Sequence, residues 1–548
     1  MIPKPSPAGT LLVLILVAAL GLRLVNIGFG LPAMYDPDEP MFVLKAFKLL
    51  DARTLNPGWF GHPGTTTIYL LALVDLVVAG TAFATGSVTS LSAFAAAVYA
   101  DPAIIFVPSR LAMVAISMMT IAMTFLVGRR LFGTGAALAG TAFLALNALH
   151  IAWSQVIRTD IHASLFMITA LFFAIRAAQG GRRRDLIVAG LAVGMAMATK
   201  WPGGCAFVGV LGAGLLRLRR PGIVAEMVAI GGSALAVPVG LFLASPFILI
   251  DWQTAWADVG GEVASGHLGH NGNGLLANLR FYMIDQLGGT MGWVGLALAV
   301  VGFGVMAARP VARATVLPTA LLFLLLISVQ PQIWSRWLTP VLPLLCLAAG
   351  LVAAQFAGLA ARQLGPIGVP RNAVRTLLVT ALLVPSASAA WAGMRERSND
   401  TRRQASAWAR AHIPAGSVVI VEHLALDLDD RPWTILFPIG AAWCVDGRGL
   451  LSARVDVEDV GRARKGSPIV DLGNIPAGRL KSCRGDYAIL TYYDLYLAER
   501  DSYPKQVSTY RQLIGRGATV AVFRPVPGSA GGPTTRIVAL RPPIEGAP

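Results

Sequence analysis

The segment LLVLILVAALGLRLVNIGFGL occupies residues 11–31, and YDPDEP follows it at residues 35–40. The first segment is apolar over about the 20 residues that a helix needs to cross a bilayer. Similar apolar runs recur as far as Met394. Lys4 precedes the first run, Arg23 lies inside it, and it lacks a small-residue cleavage site, so we expect an uncleaved anchor rather than a signal peptide. The sequence therefore predicts a protein that crosses the membrane several times.

The composition supports a membrane protein and argues against a nucleic-acid-binding protein. The chain has 548 residues, of which 55% are hydrophobic and 14% charged, whereas soluble chains carry about 25% charged residues. The net charge is +16. The basic residues form no stripe but lie in short loops between apolar runs, which suits membrane lipids with anionic headgroups or a phosphate-bearing lipid.

The basic clusters predict the topology. Each cluster ends an apolar run, and the positive-inside rule places all of them in the cytoplasm. Of the thirteen Asp and Glu residues before Arg395, only Asp185 and Glu226 lie in these loops. The clusters are Arg129–Arg130, Arg176 with Arg182–Arg184, Arg217 with Arg219 and Arg220, Arg309 with Arg313, and Arg362 with Arg371 and Arg375.

One apolar run leaves two topologies open. The run at residues 65–85 either pairs with the weaker run at residues 88–107 as a hairpin or lies along the membrane surface. Both versions place YDPDEP and the C-terminal tail on the outer face. Because a span needs roughly 20 apolar residues, we expect about 11–13 spans.

The chain after Met394 has a different character. TRRQASAWARAHI predicts an amphipathic helix, and SVVIVE, DYAILTYY and ATVAVF predict strands. We therefore expect a transmembrane domain over residues 1–394 and a mixed α/β domain over residues 395–548, outside the cytoplasm. Cys444 and Cys483 both lie in this tail, where a disulfide is one of two open alternatives.

Charged residues at the predicted outer membrane edge are the candidate site. Each has a simpler interpretation: the bases as interfacial anchors, His62 as a turn residue, and Asp38 or Asp160 as a helix cap. His267 and His270 have the spacing of a weak metal motif, but their Gly- and Asn-rich surroundings favour a loop. The candidates are Asp36, Asp38, Glu39, His62, Arg110, Arg158, Asp160, Lys200 and Arg336.

Together these residue types point to group transfer. A carboxylate can remove a proton from an acceptor hydroxyl, and Arg and Lys can hold a phosphate leaving group and offset its charge. Pro37 and Pro40 flank Asp38 and Glu39 and restrain the turn that carries them.

Several ordered motifs resemble the GT-C glycosyltransferases, and most closely the protein O-mannosyltransferase and aminoarabinose (lipid A) transferase superfamily. The resemblance runs from Leu22 to Gly350 and extends to the start of the tail, DTRRQASAWARAHIPAGS. Two positions differ from the family pattern: Gln155 follows Ser154 where Arg is frequent, and His-Pro-Pro appears as His-Pro-Gly. The motifs are LRLVNIGFGLPAMYDPDEPMFVLKAFKLL, HPG, SRLAMVAISMMTIAMTFLVGRRLFG, S-Q-x4-D, ATKW and SRWLTPVLPLL.

The resemblance implies an enzyme of the cell envelope that uses a polyprenyl-phosphate sugar as donor. It implies that Asp38 is the general base and that Asp160 is the acid of the second outer loop. It also implies that Glu39 supports Asp38 or an optional divalent metal ion, for which Asp160 is the other possible ligand. No cofactor is required. The acceptor is a lipid, a glycan or a protein, and the expected location is the bacterial cytoplasmic (inner) membrane.

Two other functions are compatible with the sequence. A polyprenyl-phosphate or glycolipid transporter or flippase would place ionisable residues near the bilayer midplane, but Asp75 is the only carboxylate deep in an apolar run and no internal repeat is visible. A non-catalytic relative would bind the lipid phosphate only, and the presence of Asp38, Glu39 and Asp160 argues against it. We therefore favour the enzyme.

Overall fold

The computed structural model describes residues 6–263, 268–364, 370–422, 426–428, 430–440, 442–451 and 471–540. The chain divides into two compact units. The helical unit comprises Met1–Gly28, Pro37–Gly266 and His270–Trp391, and the tail unit comprises Phe29–Asp36, His267–Gly269 and Ala392–Pro548. The predicted domain boundary after residue 394 stays a prediction.

Helices make up the helical unit, and local capping fixes some of their ends. At the first helix, the hydroxyl of Ser6 accepts a hydrogen bond from the Gly9 amide at 3.2 Å, and Pro7 occupies the first helical position, where it needs no amide partner. The helices are α1 (Pro7–Leu24), α2 (Glu39–Asp51), α3 (Thr65–Ala84), α4 (Leu91–Ala100), α5 (Ala103–Phe132), α6 (Thr134–Ala145), α7 (Ala148–Ser154), α8 (Thr159–Ala178), α9 (Arg184–Thr199), α10 (Ala206–Arg217), α11 (Ile223–Ala244), α12 (Phe247–Ile250), α13 (Trp252–Val263), α14 (Leu275–Arg280), α15 (Gly289–Ala307), α16 (Pro310–Ser328), α17 (Leu342–Leu364) and α18 (Arg371–Ser398).

The predicted multi-pass helical architecture is confirmed. Within the described residues, nine helices are long and apolar enough to cross a membrane, or ten if the bent pair α6 and α7 is one span. This number is below the 11–13 spans expected from the sequence. Part of the difference lies in α9, which has 16 residues and therefore rises only about 24 Å.

The weaker run in the hairpin alternative for residues 65–107 does not form a helix of spanning length. The first run forms α3, a 20-residue helix, but the weaker run is interrupted at Asp101 and Pro102, so that α4 has only 10 residues. Ten residues rise about 15 Å, half the thickness of the hydrocarbon core. The orientation of α3 along the membrane surface stays a prediction.

Glycines allow the closest helix contacts. A Cβ atom at Gly194 in α9 would lie 2.2 Å from the carbonyl oxygen of Val237 in α11, and one at Gly350 in α17 would lie 2.1 Å from the amide nitrogen of Gly140 in α6. Any larger residue would force these helix pairs apart. Small residues at contact points are the usual means of packing helices in a bilayer, where apolar burial gives little driving force.

The two acids in the predicted cytoplasmic loops are partners of the arginines around them. Nε of Arg176 donates to Oδ2 of Asp185 at 3.0 Å. Glu226 accepts hydrogen bonds from Arg183 at 3.0 Å and from Nε of Arg217 at 2.6 Å. Both carboxylates are buried, and their pairing explains why acids occur in these otherwise basic loops.

The tail unit contains a six-stranded mixed sheet, as the sequence predicted for a mixed α/β domain. β1 runs parallel to β2 and β4, and the remaining pairs are antiparallel. The strands are β1 (Val418–Val421), β2 (Thr434–Pro438), β3 (Cys444–Asp446), β4 (Tyr487–Leu490), β5 (Ala518–Phe523) and β6 (Thr535–Ala539), in the order β3-β2-β1-β4-β6-β5, and the helices are α19 (Thr401–His412), α20 (Gly447–Leu451), α21 (Tyr493–Ala498) and α22 (Pro504–Ile514).

Alternation along β1 separates two apolar layers. Val419 and Val421 pack with Ala405 and Ala409 of α19 on one face of the sheet. Ile420 points to the other face and packs with Tyr510 of α22. The predicted amphipathic helix is therefore confirmed as α19, and the three predicted strands are confirmed as β1, β4 and β5.

The tail unit also contains a disulfide, which decides between the two alternatives left open by the sequence. Cys444 in β3 is bonded to Cys483, 39 residues further along the chain. Disulfides persist in oxidising compartments. Cys205 and Cys346, expected to be core residues, are buried free thiols.

A buried acid gives the tail unit a predicted pH dependence. Burial, with a contribution from Asp471, raises the pKa of Glu422 from 4.5 to about 7. The carboxyl group of Glu422 therefore binds a proton more tightly in the folded state than in the unfolded state. The stability that this protonation contributes is complete below about pH 4.5 and is lost as the pH rises through about 7. We expect calorimetry of the full-length chain to show a lower melting temperature of the tail unit at pH 8 than at pH 5. In Glu422→Gln the difference should shrink, and an unchanged difference would contradict the assignment.

Candidate functional site

Asp160, in the first turn of α8, is the meeting point of two bases from distant segments. Its Oδ1 atom accepts a hydrogen bond from Nζ of Lys200, and its Oδ2 atom lies 4.0 Å from Nε of Arg336. All three side chains are buried. The structure therefore brings Lys200 and Arg336 to the same carboxylate. Asp160 is not the N-cap of its helix, because that position is taken by Arg158.

The His-Pro-Gly segment positions Lys200 through its backbone. The amide of Trp201 donates to the carbonyl of His62 at 3.2 Å, and the amide of Gly64 donates to the carbonyl of Thr199 at 3.1 Å. Lys200, the residue between these two contacts, is thus held at the end of α9. The imidazole of His62 contacts the ring of Trp59, with centroids 5.1 Å apart. Through its backbone carbonyl and its ring, His62 positions the His-Pro-Gly segment.

A stack of rings supports Arg336, and sequence reasoning missed it. The guanidinium carbon of Arg336 lies 3.9 Å from the ring centroid of Trp334, and the ring of His270 stacks on Trp334 at 3.5 Å. The amide of Ile333 donates to the carbonyl of His270 at 2.8 Å. Such stacking orients a guanidinium plane without neutralising it. In the sequence, the aromatic residues near Arg336 in QIWSRW were the signal that could have predicted this stack.

Glu39 and Arg110 form a buried ion pair whose hydrogen bonds join four segments. Nε of Arg110 donates to Oε1 of Glu39 at 2.9 Å and Nη2 donates to Oε2 at 2.6 Å. The amide of Ile157 also donates to Oε1, at 3.0 Å, and Nη1 of Arg110 donates to the carbonyl of Ile27 at 2.8 Å. The sequence analysis grouped Arg110 with the phosphate-binding bases, whereas in the structure Arg110 pairs with Glu39.

Asp38 has a different environment from its neighbour. Its carboxylate forms an ion pair with the buried guanidinium of Arg158, and its side chain is 36% exposed. Asp38 occupies the N-cap position of α2 but makes no side-chain capping hydrogen bond. The helix-cap interpretation of Asp38 is therefore not supported. Because Arg158 stands two residues before Asp160, the ion pair connects the acidic turn to the Asp160 cluster.

Gln155 and Asp36 are the two other positions that the sequence analysis named. Gln155, where the family pattern has Arg, donates through Nε2 to the carbonyls of Arg23 and Val25 at 2.8 Å each, which fixes the end of α1. Asp36 belongs to the tail unit, as does Tyr35, whose ring lies 3.7 Å from the guanidinium carbon of Arg402.

The donor set does not suit a divalent metal ion at Glu39 or Asp160. Both oxygens of Glu39 accept hydrogen bonds from Arg110, and both oxygens of Asp160 face a cation. A metal ion there would be repelled by these bases. Among the described residues, no group of three or more His, Cys, Asp or Glu side chains could hold a metal ion, and His267 lies outside the described residues.

Across the cluster, positive charge exceeds negative charge. The three carboxylates of Asp38, Glu39 and Asp160 face four cations, namely Arg110, Arg158, Lys200 and Arg336. Basic groups such as Lys200 and Arg336 can hold a phosphate through charge-assisted hydrogen bonds.

Residues 104–250 match the family model described as dolichyl-phosphate-mannose-protein mannosyltransferase. The matched segment contains Arg110, Arg158, Asp160 and Lys200, four residues of the cluster. Over these residues, the match agrees with the predicted resemblance to the protein O-mannosyltransferases. A comparison with curated proteins finds no match.

Solved structures of two other proteins align with most of the chain. ArnT from Cupriavidus metallidurans in the apo state is 14% identical, with 99% of this chain and 100% of ArnT covered and a TM-score of 0.49. The same protein bound to undecaprenyl phosphate is 13% identical, with 99% and 100% covered and a TM-score of 0.48. The oligosaccharyltransferase AglB from Archaeoglobus fulgidus, in complex with an inhibitory peptide and a dolichol-phosphate, is 12% identical, with 95% and 73% covered and a TM-score of 0.49.

Proposed function

We propose that this chain is an inverting glycosyltransferase that moves a sugar from a polyprenyl-phosphate donor to an acceptor hydroxyl at the outer face of the bacterial cytoplasmic membrane. One observation carries the proposal: a partly exposed carboxylate, Asp38, is connected through Arg158 to a buried pair of bases, Lys200 and Arg336, that meet on Asp160. The matched family model names a polyprenyl-type donor, dolichyl-phosphate mannose.

In the proposed reaction, Asp38 accepts the proton of the acceptor hydroxyl as the oxygen attacks the anomeric carbon. The new C–O bond forms on one face of the sugar while the bond to the phosphate oxygen breaks on the other, so the configuration inverts. The polyprenyl phosphate leaves with the bonding electrons. Lys200 and Arg336 bind the phosphate and stabilise the charge that develops on it.

Asp160 has a positioning role in this scheme. Its two oxygens face Lys200 and Arg336, while Trp334 orients the guanidinium of Arg336 from the other side. The bases are therefore held in place before the donor binds, which is the arrangement that electrostatic stabilisation of a leaving group requires.

The location on the outer face has two supports. The basic loops predicted to be cytoplasmic carry Arg129, Arg130 and Arg182–Arg184, and the positive-inside rule orients the spans accordingly. The Cys444–Cys483 disulfide in the tail unit is expected in an oxidising compartment. We therefore propose that the tail unit is extracytoplasmic.

The transporter alternative draws on Asp75, which is buried in α3 and whose carboxylate oxygens make no hydrogen bond with another described residue. A transport pathway would use ionisable groups along the membrane-spanning region. The charged cluster instead gathers at the beginning of α8, where Lys200 and Arg336 face Asp160 and Arg158 pairs with Asp38. This distribution favours the enzyme.

The phosphate-binding role predicts a specific loss of affinity. Lys200→Gln and Arg336→Gln should each weaken binding of undecaprenyl phosphate about tenfold or more, because each removes a charge-assisted hydrogen bond worth roughly 1.5–3 kcal/mol. Isothermal titration calorimetry of the detergent-purified chain measures this. Lys48→Gln, an exposed lysine of α2, is the control and should bind normally. Correctly folded Lys200→Gln and Arg336→Gln variants with unchanged affinity would refute the proposed phosphate site.

A further inference from the structure

A second basic site lies away from the Asp160 cluster, where α5 and α8 end and α9 begins. A pocket of about 420 Å³ opens there. We call it the basic pocket, lined by Arg130, Arg176, Gln179, Arg182, Arg184 and Asp185. Four guanidinium groups therefore surround one cavity that contains a single carboxylate.

The one carboxylate is already engaged. Asp185 pairs with Arg176 through both of its oxygens, and it also accepts a hydrogen bond from the backbone amide of Arg182 at 3.1 Å. Arg130, Arg182 and Arg184 have no carboxylate partner within the described part of the chain. Arg182 and Arg184 are also exposed, so their side chains are accessible to a ligand.

Neighbouring arginines show that this lack of pairing is local to the basic pocket. Arg183, between Arg182 and Arg184 in sequence, pairs with Glu226 at 3.0 Å, and Arg217 pairs with the same carboxylate at 2.6 Å. Glu226, the other buried acid near these loops, is thus paired with arginines outside the pocket. The positive-inside rule explains why the loops are basic, but it does not require that three guanidinium groups around one concavity lack a carboxylate partner among the described residues.

The walls of the pocket are fixed by specific contacts. Nε2 of Gln179 donates to the carbonyl of Arg130 at 3.0 Å, and Nη1 of Arg130 donates to Oε1 of Gln179 at 3.4 Å. The ring of Phe172 lies 5.5 Å from the guanidinium carbon of Arg130. These contacts connect the end of α5 to the turn after α8, so Arg130 is held at the pocket.

We propose that the basic pocket binds the phosphate group of an anionic ligand, either the headgroup of an anionic membrane lipid or a soluble phosphate ester. Arginine is suited to this role because its planar guanidinium binds phosphate through two parallel hydrogen bonds. The volume is in the range of small-molecule sites, roughly 300–1,000 Å³, and exceeds what one phosphate needs. Anionic lipid headgroups lie at the ends of membrane-spanning helices such as α5 and α8. This site is independent of the proposed transfer reaction.

Native mass spectrometry of the delipidated full-length chain tests the proposal with three probes: phosphatidylglycerol, phosphatidylcholine and glycerol 3-phosphate. We expect phosphatidylglycerol to bind about tenfold or more tightly than phosphatidylcholine, and the double variant Arg182→Gln/Arg184→Gln to lose that preference, since two charge-assisted contacts are removed. The control is Arg219→Gln, which removes an exposed charge outside the pocket and should leave the preference intact. Arg130→Gln is a second pocket variant, and the melting temperature of every variant checks folding.

The outcomes separate the two sources of phosphate. Loss of phosphatidylglycerol binding in the double variant, with no binding of glycerol 3-phosphate by the wild type, identifies a lipid headgroup. Binding of glycerol 3-phosphate that the double variant loses identifies a soluble phosphate ester. Wild-type phosphatidylglycerol binding in folded pocket variants, or an equal loss in Arg219→Gln, would overturn the proposal.

Discussion

Asp38→Asn is expected to lower the turnover of the purified enzyme about 10²-fold or more, the scale of a lost general base. Asparagine is nearly isosteric with aspartate but cannot accept the proton of the acceptor hydroxyl. The native side chain is 36% exposed and makes no capping hydrogen bond to α2, and the side-chain oxygen of asparagine can still accept a hydrogen bond from Arg158, so we expect the variant to fold. Binding of undecaprenyl phosphate, which we assign to Lys200 and Arg336, should remain close to that of the wild type.

A matched control separates this effect from a general loss of negative charge in the same region. Asp51, the last residue of α2, is exposed, and Asp51→Asn makes the same chemical change outside the cluster. Its turnover should be normal. Near-normal turnover of a folded Asp38→Asn variant would remove Asp38 from the mechanism and leave Asp36 or Asp160 as the candidate base.

Glu39→Gln is expected to lower the free energy of unfolding by about 3–5 kcal/mol, the usual cost of removing one partner of a buried ion pair. Glu39 and Arg110 are both fully buried, and glutamine would leave the guanidinium without a counter-charge. The sequence grouped Glu39 with Asp38 as a catalytic acid. The hydrogen bonds from Arg110 and from the Ile157 amide instead favour a role in holding α2, α5 and the start of α8 together.

A double-mutant cycle tests that role by denaturant unfolding in detergent. The double variant Glu39→Gln/Arg110→Met should be less destabilised than Glu39→Gln alone, because it no longer buries an uncompensated charge. If Glu39→Gln keeps the stability of the wild type but loses turnover, Glu39 participates in the chemistry and the structural interpretation is wrong.

Local properties of the sequence predicted much of the architecture. Apolar runs such as residues 11–31 identify spans because a helix must remain apolar across the bilayer. The alternation in SVVIVE identified β1 in the same way. The strands β2, β3 and β6 were missed. The end of α4 before Asp101-Pro102 could have been predicted, because proline disfavours helix in the residue that precedes it.

The pairing inside the cluster could not be predicted in the same way. Asp38, Asp160, Lys200 and Arg336 were identified as residue types at a membrane edge, and the structure brings them together. Which acid pairs with which base depends on how helices distant in sequence pack. Glu39 and Arg110 are 71 positions apart, and nothing local to either distinguishes Glu39 from Asp38. The stack of His270 on Trp334 depends likewise on a loop that folds back on the segment before α17.

Mass spectrometry of cell-envelope lipids and glycans from the source organism, with and without the gene, tests the proposed glycosyl transfer most directly. We expect that one sugar-bearing lipid, glycan or protein loses its sugar in the deletion strain and that a polyprenyl-phosphate sugar accumulates. A plasmid carrying the wild type should restore the product, and an equally expressed Asp38→Asn variant should not. An unchanged envelope in the deletion strain, or full restoration by Asp38→Asn, would contradict the proposed function.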